Sequence, residues 1–440
     1  MFHGVNLVPE CATHSRPSSA PGTPCIPDPN ADAPGWYVTE TDPDPSRRFT
    51  DADAQTLRSL GIDFVRLGIH WEALEPGTGV GANDPRYCRR LVPGQAHDEA
   101  LGDAVWNPAV ADEYLRHVDA EVALFARHGI KVLLDMHSGA VSQYFAKPND
   151  PNTPWMGSGA PLWAVCTDAS DPPGVYPAAY PSGWNSAYFT VPLADAADHF
   201  WNNDVAANLQ SEYIRSWTYV VDHYVRSPLI SDIVGYELAN EPVDINELAS
   251  PTFDAKLQCD YVGSAQAPQS CAAAGTTAYA QQVGLIPAIQ AVDPKRLIFY
   301  EPPILADEGF PPQQIGQHEP MPFDNLVLSF HTYNPASEAS PFQMEAGARA
   351  ATKTGHAGDQ TPAWFNTEFG ASDSTSDIGA VIAQADQNLV SWTYWAALQL
   401  HDPTGAPTER LIDDNTRQLI FPKACLMAGA HVTAYAGTPT

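Results

Sequence analysis

The chain has 440 residues, 44% hydrophobic and 17% charged, a globular composition that excludes general disorder. Its 52 acidic against 22 basic residues give a formal charge of −30, which repels phosphate backbones and argues against any nucleic-acid partner. No apolar stretch reaches the roughly 18 residues of a membrane span, so integral membrane association is not expected.

The first apolar run, Phe2–Val8, starts at once, with no basic region and apolar leader before it. Nine prolines between Pro9 and Pro45 bar regular helix or central strand, and this stretch reads as a long ordered loop. A helix over Asp51–Leu60 stops at Gly61 and leads into the second run, Phe64–Ile69. Within Ala111–His128, the residues Leu115, Val118, Val122 and Phe125 are spaced as one helix face, with Gly129 as the stop. The third run, Lys131–His137, follows, and then a long connection, Ser138–Asp204, containing Trp155, Trp163 and Trp184. Leu209, Tyr213, Trp217, Val221 and Tyr224 mark a helix within Val205–Val225 before the fourth run, Ile233–Asn240. A helix over Thr276–Ala291 precedes the runs Arg296–Pro302 and Leu326–Tyr333, and Ala363–Gly370 comes next. A helix over Asp377–Asn388 then leads to the last run, Val390–Ala397. The remaining 440 − 397 = 43 residues suffice for a final loop and a helix within Arg417–Tyr435.

Eight apolar runs that are continuous rather than alternating suit parallel strands buried on both faces. With helices between them they predict an α/β protein, a single (β/α)8 TIM barrel over residues 1–440. A doubly wound open sheet is the alternative. Long loops are expected over about 9–46, 76–110 and 138–204.

The seven cysteines include no CxxC pair, which argues against zinc ribbons and thioredoxin-like chemistry. Cys11/Cys25 and Cys259/Cys271 each bracket a short loop, and Cys88/Cys166 is a third candidate pair. Such clips favour an extracellular compartment, with any leader removed; buried free thiols in a cytosolic enzyme are the alternative. Cys425 is left over and is expected to be buried.

In a (β/α)8 barrel the functional end is where the strands finish. Here those positions carry Arg66, Asp135 and His137, Asn240 and Glu241, Glu301, His331 and Tyr333, Glu368, and Trp395. Two carboxylates facing each other across a sugar ring are what glycosidic cleavage needs, and Glu241 and Glu368 are the candidates. Pro242 is expected to hold Glu241 extended, and Gly370 to let the chain turn after Glu368. Arg66 and Tyr333 are placed to hydrogen-bond Glu368, and His331 to sit near Glu241. Asn240 can bind a sugar hydroxyl and Trp395 offers a flat face for a pyranose. Asp135 either binds a hydroxyl or orients a neighbour. Glu301 is the competing carboxylate and reads as a substrate or loop contact. Glu72 and Glu75 read as rim or structural. His70, His199 and His223 lack metal-ligand spacing, so no metal is expected, and no cofactor motif stands out.

The ordered set Arg66, His137, Asn240, Glu241, His331, Tyr333, Glu368 and Trp395 resembles glycoside hydrolase family 5. The resemblance implies a retaining β-glycosidase with Glu241 as acid/base and Glu368 as nucleophile. Within the family, VRLGIHWEALEPGTG (Val65–Gly79), KVLLDMHSG (Lys131–Gly139), YELANEP (Tyr236–Pro242) and TEFGASD (Thr367–Asp373) resemble endoglycoceramidases. That implies a monomeric enzyme acting on a glycolipid or other β-glycoside. The family's C-terminal β-sandwich is expected to be absent from the 43 residues after Ala397. A soluble β-glucosidase or β-1,4-glucanase, and an inactive glycan-binding barrel, are the alternatives.

Overall fold

The computed structural model describes residues 1–8, 49–75, 106–138, 141–142, 159–167, 190–203, 209–247, 251–274, 283–304, 319–333, 340–355, 360–370, 372–398, 409–413 and 416–436. Eight parallel strands close into a barrel in chain order. They are β1 (His3–Leu7), β2 (Phe64–Ile69), β3 (Lys131–Met136), β4 (Ile233–Glu237), β5 (Leu297–Tyr300), β6 (Leu326–Thr332), β7 (Ala363–Phe369) and β8 (Ser391–Tyr394). β1 pairs with both β2 and β8, which seals the ring. The TIM barrel expected from the sequence is therefore the fold, and the open sheet is excluded.

The strands read as continuous apolar runs because both faces are covered. Outward residues such as Val65, Leu67, Val132 and Leu134 join one core with the surrounding helices. Inward residues Phe64, Leu133, Phe299, Val327 and Phe365 form a separate plug across the barrel floor. Truncating one such ring to Ala costs about 3–5 kcal/mol. The floor is apolar, and polar side chains further along the same strands gather at the other end.

The helices expected from the sequence are α1 (Asp51–Ser59), α3 (Pro108–Arg127), α5 (Leu209–Arg226), α8 (Leu285–Val292), α10 (Thr375–Asn388) and α11 (Phe421–Ala436). Of the helix expected over Thr276–Ala291, residues 276–282 lie outside the described residues, and α8 begins only after Gly284. Thr50 and Asp53 cap α1 reciprocally. Gly129, at φ +70°, ends α3 in a conformation glycine adopts freely. Five helices were not anticipated: α2 (Trp71–Leu74), α4 (Val191–Asn202), α6 (Pro251–Val262), α7 (Pro268–Ala273) and α9 (Ser340–Ala351). The expected loop over 138–204 thus contains α4, which starts with Pro192 in its first turn and buries Leu193, Ala196, Ala197 and Trp201. Trp155 and Trp184 lie outside the described residues.

Two ladders slip by one residue. Between β3 and β4 the pairing jumps from Val132↔Ile233 to Leu133↔Gly235. Between β6 and β7 it jumps from Phe330↔Asn366 to His331↔Glu368, leaving Thr367 as the extra residue. The Thr367 carbonyl accepts instead from Asn6 Nδ2 on β1, at 2.9 Å, and from the Thr393 hydroxyl on β8.

A disulfide joins Cys259 on α6 to Cys271 on α7, as expected. Cys166 is also disulfide-bonded. Cys11, Cys25 and Cys88 lie outside the described residues. Cys425 corrects an expectation: it is free but exposed, because α11 turns Ala424 and Met427 inward and Cys425 outward. A non-reducing peptide map should show the 259–271 link, while Cys425 takes up iodoacetamide without reductant. Cys259→Ser with Cys271→Ser should cost about 3 kcal/mol in denaturant unfolding, the chain-entropy value for a loop of this length. An unlinked pair, or an unreactive Cys425, would contradict this arrangement.

Candidate active site

Arg66 sits at the centre of β2 with no exposure, and every guanidinium N–H has an acceptor. Nε donates to Glu237. Nη1 donates to Glu368 and, at 3.2 Å, to Asn6 Oδ1. Nη2 donates to Asn240 Oδ1 at 2.7 Å and to Glu301 Oε1 at 3.1 Å. Asp135 lies 3.2 Å from Nη2. One permanent cation thus holds four carboxyl groups arriving from β3, β4, β7 and the end of β5.

Glu368, near the end of β7, receives a second hydrogen bond from Tyr333 Oη at 2.7 Å. Burial raises its pKa, while His331 and Arg66 pull the other way. Gly370 then takes φ +103°, and a Cβ there would collide with the Tyr394 ring. Glu241 faces Glu368 from beyond β4. Its Oε1 lies 3.0 Å from His331 Nδ1.

The backbone of Glu241 corrects the sequence reading. Its φ is +45°, left-handed rather than extended. The proline rule argues against the right-handed helical region but ignores outside partners. Here the Glu241 N–H donates to Glu301 Oε2 at 2.8 Å, which draws the peptide inward. Glu301, expected as a substrate or loop contact, is 1% exposed and holds the turn after β4 through this bond. Burial opposes its ionisation, but the charge and hydrogen bond of His331, with Arg66, outweigh that and hold its pKa at about 2.

Asp135 is also buried, with Oδ2 2.8 Å from His137 Nδ1 and Oδ1 3.2 Å from Arg66 Nη2. His137 stacks on Trp395 with ring centres 5.6 Å apart. The Trp395 Nε1–H donates to Glu409 Oε2 at 3.1 Å, and the Trp395–Ala396 peptide bond is cis. Asn240 spends one amide hydrogen on the Ser138 carbonyl at 2.9 Å and keeps another. Glu72 and Glu75 are structural: Glu75 is buried against Arg215, Ser216 and Trp71.

Sequence reasoning missed Glu237, Asn6 and Glu409. Glu237 has no exposure and pairs with Arg66 and Ser329. Burial pushes its pKa well up, with Arg66 opposing and Glu301 and Asp135 adding to the rise. The available signal was a lone carboxylate inside an apolar run, Tyr236-Glu237-Leu238, and a lone amide inside Val5-Asn6-Leu7.

Glu241, His331 and Glu368 present side-chain atoms all within 4.8 Å of one another, and Glu237, Glu301 and His331 do the same. A metal ion would suit such triads by ligand type. Arg66 already lies against Glu237, Glu301 and Glu368, so both triads have a cationic partner from the protein itself.

Beside Glu241 lies an open cavity that Glu368 does not line. Its walls include Trp71, Met136, Val141, Phe200, Trp201 and Val243, with His137, Asn240 and Glu241 at one end.

The family described as "Cellulase (glycosyl hydrolase family 5)" matches residues 35–399. The chain belongs to glycosyl hydrolase family 5. An endoglycoceramidase from Hydra vulgaris is 26% identical over 318 residues, 68% of this chain and 49% of that protein. An endoglycoceramidase from Cyanea nozakii is 24% identical over 410 residues, 86% of this chain and 68% of that one. The chain therefore spans about half the length of the first of these relatives. Among solved structures, endo-glycoceramidase II from Rhodococcus sp. in a cellobiose-like imidazole complex has a TM-score of 0.58 at 21% identity, covering 88% of this chain and 76% of its own. An endogalactoceramidase has a TM-score of 0.57 at 18% identity, covering 97% and 80%. At such identities these likenesses establish the fold.

Proposed function

We propose that this family 5 chain is a retaining β-glycosidase that cleaves the O-glycosidic bond between a sugar and an apolar aglycone, acting on glycosphingolipids with release of ceramide. The observation that carries the reaction is the pairing of Glu241 and Glu368 with oxygens within 4.8 Å. A retaining enzyme needs its carboxyl groups about 5–5.5 Å apart, whereas an inverting one needs about 6.5–9.5 Å to seat a water.

The roles follow from the surroundings. Glu368 is held on one oxygen by Arg66 and on the other by Tyr333, so it attacks the anomeric carbon as a fixed carboxylate. Glu241 gives its proton to the leaving oxygen, and the aglycone departs. Glu241 then takes a proton from water, the hydroxide attacks the glycosyl ester, and the sugar leaves with its configuration retained. Asn240 keeps one amide hydrogen for a sugar hydroxyl, and Trp395 offers its ring to the sugar, with His137 stacked on it.

The glycolipid assignment rests on the cavity that Glu241 lines and Glu368 does not. The leaving group sits beside the acid that protonates it, and the wall beside Glu241 is largely apolar. The relatives named as endoglycoceramidases support the same substrate. The test is ceramide release from lactosylceramide in detergent, measured beside hydrolysis of a soluble aryl β-lactoside. Phe200→Ala should raise KM about tenfold on the lipid, the effect of losing about 1.4 kcal/mol of apolar contact, and much less on the soluble substrate. Equal effects on both would favour a soluble β-glucosidase or glucanase. No turnover of either would favour a glycan-binding barrel.

Among the described residues no helix is long and apolar enough to cross a membrane. The Cys259–Cys271 disulfide supports the further proposal that the enzyme works outside the cell.

A further inference from the structure

Glu301 follows β5 at the barrel mouth, and its two oxygens are shared among partners from three other parts of the ring. Oε2 accepts from the Glu241 backbone N–H at 2.8 Å. Oε1 lies 3.1 Å from Arg66 Nη2 and 3.3 Å from His331 Nε2. Three residues on, the Ile304 N–H donates to the Pro242 carbonyl at 3.0 Å. The segment after β5 therefore grips the Glu241–Pro242 turn twice, once by a side chain and once by backbone.

That grip has something to oppose. Glu241 stands at φ +45°, a conformation that residues with a Cβ rarely adopt, and a proline follows it. The imidazole beside it also needs orienting. A carboxylate at His331 Nε2 keeps a proton on that nitrogen and turns Nδ1 towards Glu241 Oε1, 3.0 Å away.

We propose that Glu301 is a positioning residue for proton delivery: it fixes both the backbone of Glu241 and the ring of His331, so that the acid/base carboxyl meets the leaving oxygen. This rests on the retaining-glycosidase reading of the Glu241–Glu368 pair. Glu301 reaches Glu241 directly. It reaches Glu368 at one remove, through Arg66, whose other four donors have their own acceptors, and through His331, whose Nδ1 lies 3.0 Å from Glu241 but 3.6 Å from Glu368. Its loss should therefore weaken protonation of the leaving group more than nucleophilic attack.

Leaving-group chemistry separates those two effects. A 2,4-dinitrophenolate departs without a proton, whereas phenolate needs one. We compare kcat/KM, which reports the first bond-breaking step, for 2,4-dinitrophenyl and phenyl β-glycosides of one sugar. Glu301→Ala should lose about 100-fold on the phenyl substrate and no more than about threefold on the dinitrophenyl one, within the usual range for general acid catalysis. Glu301→Gln keeps an acceptor for the Glu241 N–H and should recover part of the phenyl rate. Equal losses on both substrates, or no loss on either, would overturn the proposal. If Glu301→Ala fails to fold, Glu301→Gln carries the same comparison, with about tenfold expected on the phenyl substrate alone; an even loss or none overturns it. If the wild type cleaves neither glycoside, the glycosidase reading fails and this inference with it. Wild-type turnover with an unchanged leaving-group ratio in the variants sinks only the inference.

Discussion

Glu368→Gln should lower kcat on the order of 10⁵-fold or more while leaving the unfolding midpoint close to that of the wild type. The carboxylate it removes is buried and held by Arg66 and Tyr333, and an amide of the same shape keeps the packing while ending nucleophilic attack. Glu241→Gln should cost about 10²–10⁴-fold, more for poor leaving groups. Azide distinguishes the pair. With Glu368→Ala it attacks from the vacated face and gives the α-glycosyl azide. With Glu241→Ala it intercepts the glycosyl-enzyme and gives the β-azide. A Glu368→Gln enzyme of near-normal rate, beside an inactive Glu301→Gln, would mean the nucleophile is misassigned.

The second large effect is expected at Arg66. Arg66→Met leaves Asp135, Glu237, Glu301 and Glu368 in a buried site without their shared cation. Breaking one buried pair costs about 3–5 kcal/mol, and activity should fall at least about 10²–10³-fold. Arg66→Lys should rescue little, since one ammonium cannot fork to acceptors on several strands. The loss of stability should shrink as pH falls from neutral towards about 4.5. The sign follows from linkage. Burial raises Glu237 and Glu368 even with Arg66 present, and removing the guanidinium raises them further. Folding then takes up protons, so the variant gains relative stability in acid. Chemical denaturation at several pH values checks this; a penalty that grows in acid would contradict it.

Much of this architecture was readable from the chain. Phe64–Ile69 is a strand over the same residues in the structure, because a parallel strand covered on both sides has no polar face to blur its limits. Helix α3 showed through its stripe for the opposite reason, having one wet face. Pro251–Val262 gave no such signal: Phe253, Leu257 and Cys259 are buried, but so are Asp254, Lys256, Gln258 and Asp260, and the period disappears. In Val191–Asn202 half of the inward face is alanine, which composition cannot tell from a loop. At the site, residues ending a strand were visible as polar stops after apolar runs. Glu237 was not, because it lies within its run and its partners Arg66 and Ser329 come from strands distant in sequence. The left-handed turn at Glu241 was hidden similarly, since the acceptor that draws in its N–H is sixty residues away.

The slipped pairing in β7 means that spacing there matters as much as residue type. An unbroken strand alternates faces, so Thr367 and Glu368 would point opposite ways. The extra residue lets Thr367 meet Ser329 inside the barrel while the next residue, Glu368, reaches Arg66 and Tyr333. Removing Thr367 would change no catalytic side chain and would restore plain alternation: Asn366 opposite Phe330 and Glu368 opposite His331 would then be consecutive, so Phe365 and Glu368, two apart, stay on the inner face. What goes instead is a tie across the ring, the Thr367 carbonyl that accepts from Asn6 on β1 and Thr393 on β8, with its hydroxyl on Ser329. Combinatorial libraries and loop grafts on this scaffold can therefore vary side chains around 366–368, but a regular strand there gives up the stitch that joins β1, β7 and β8.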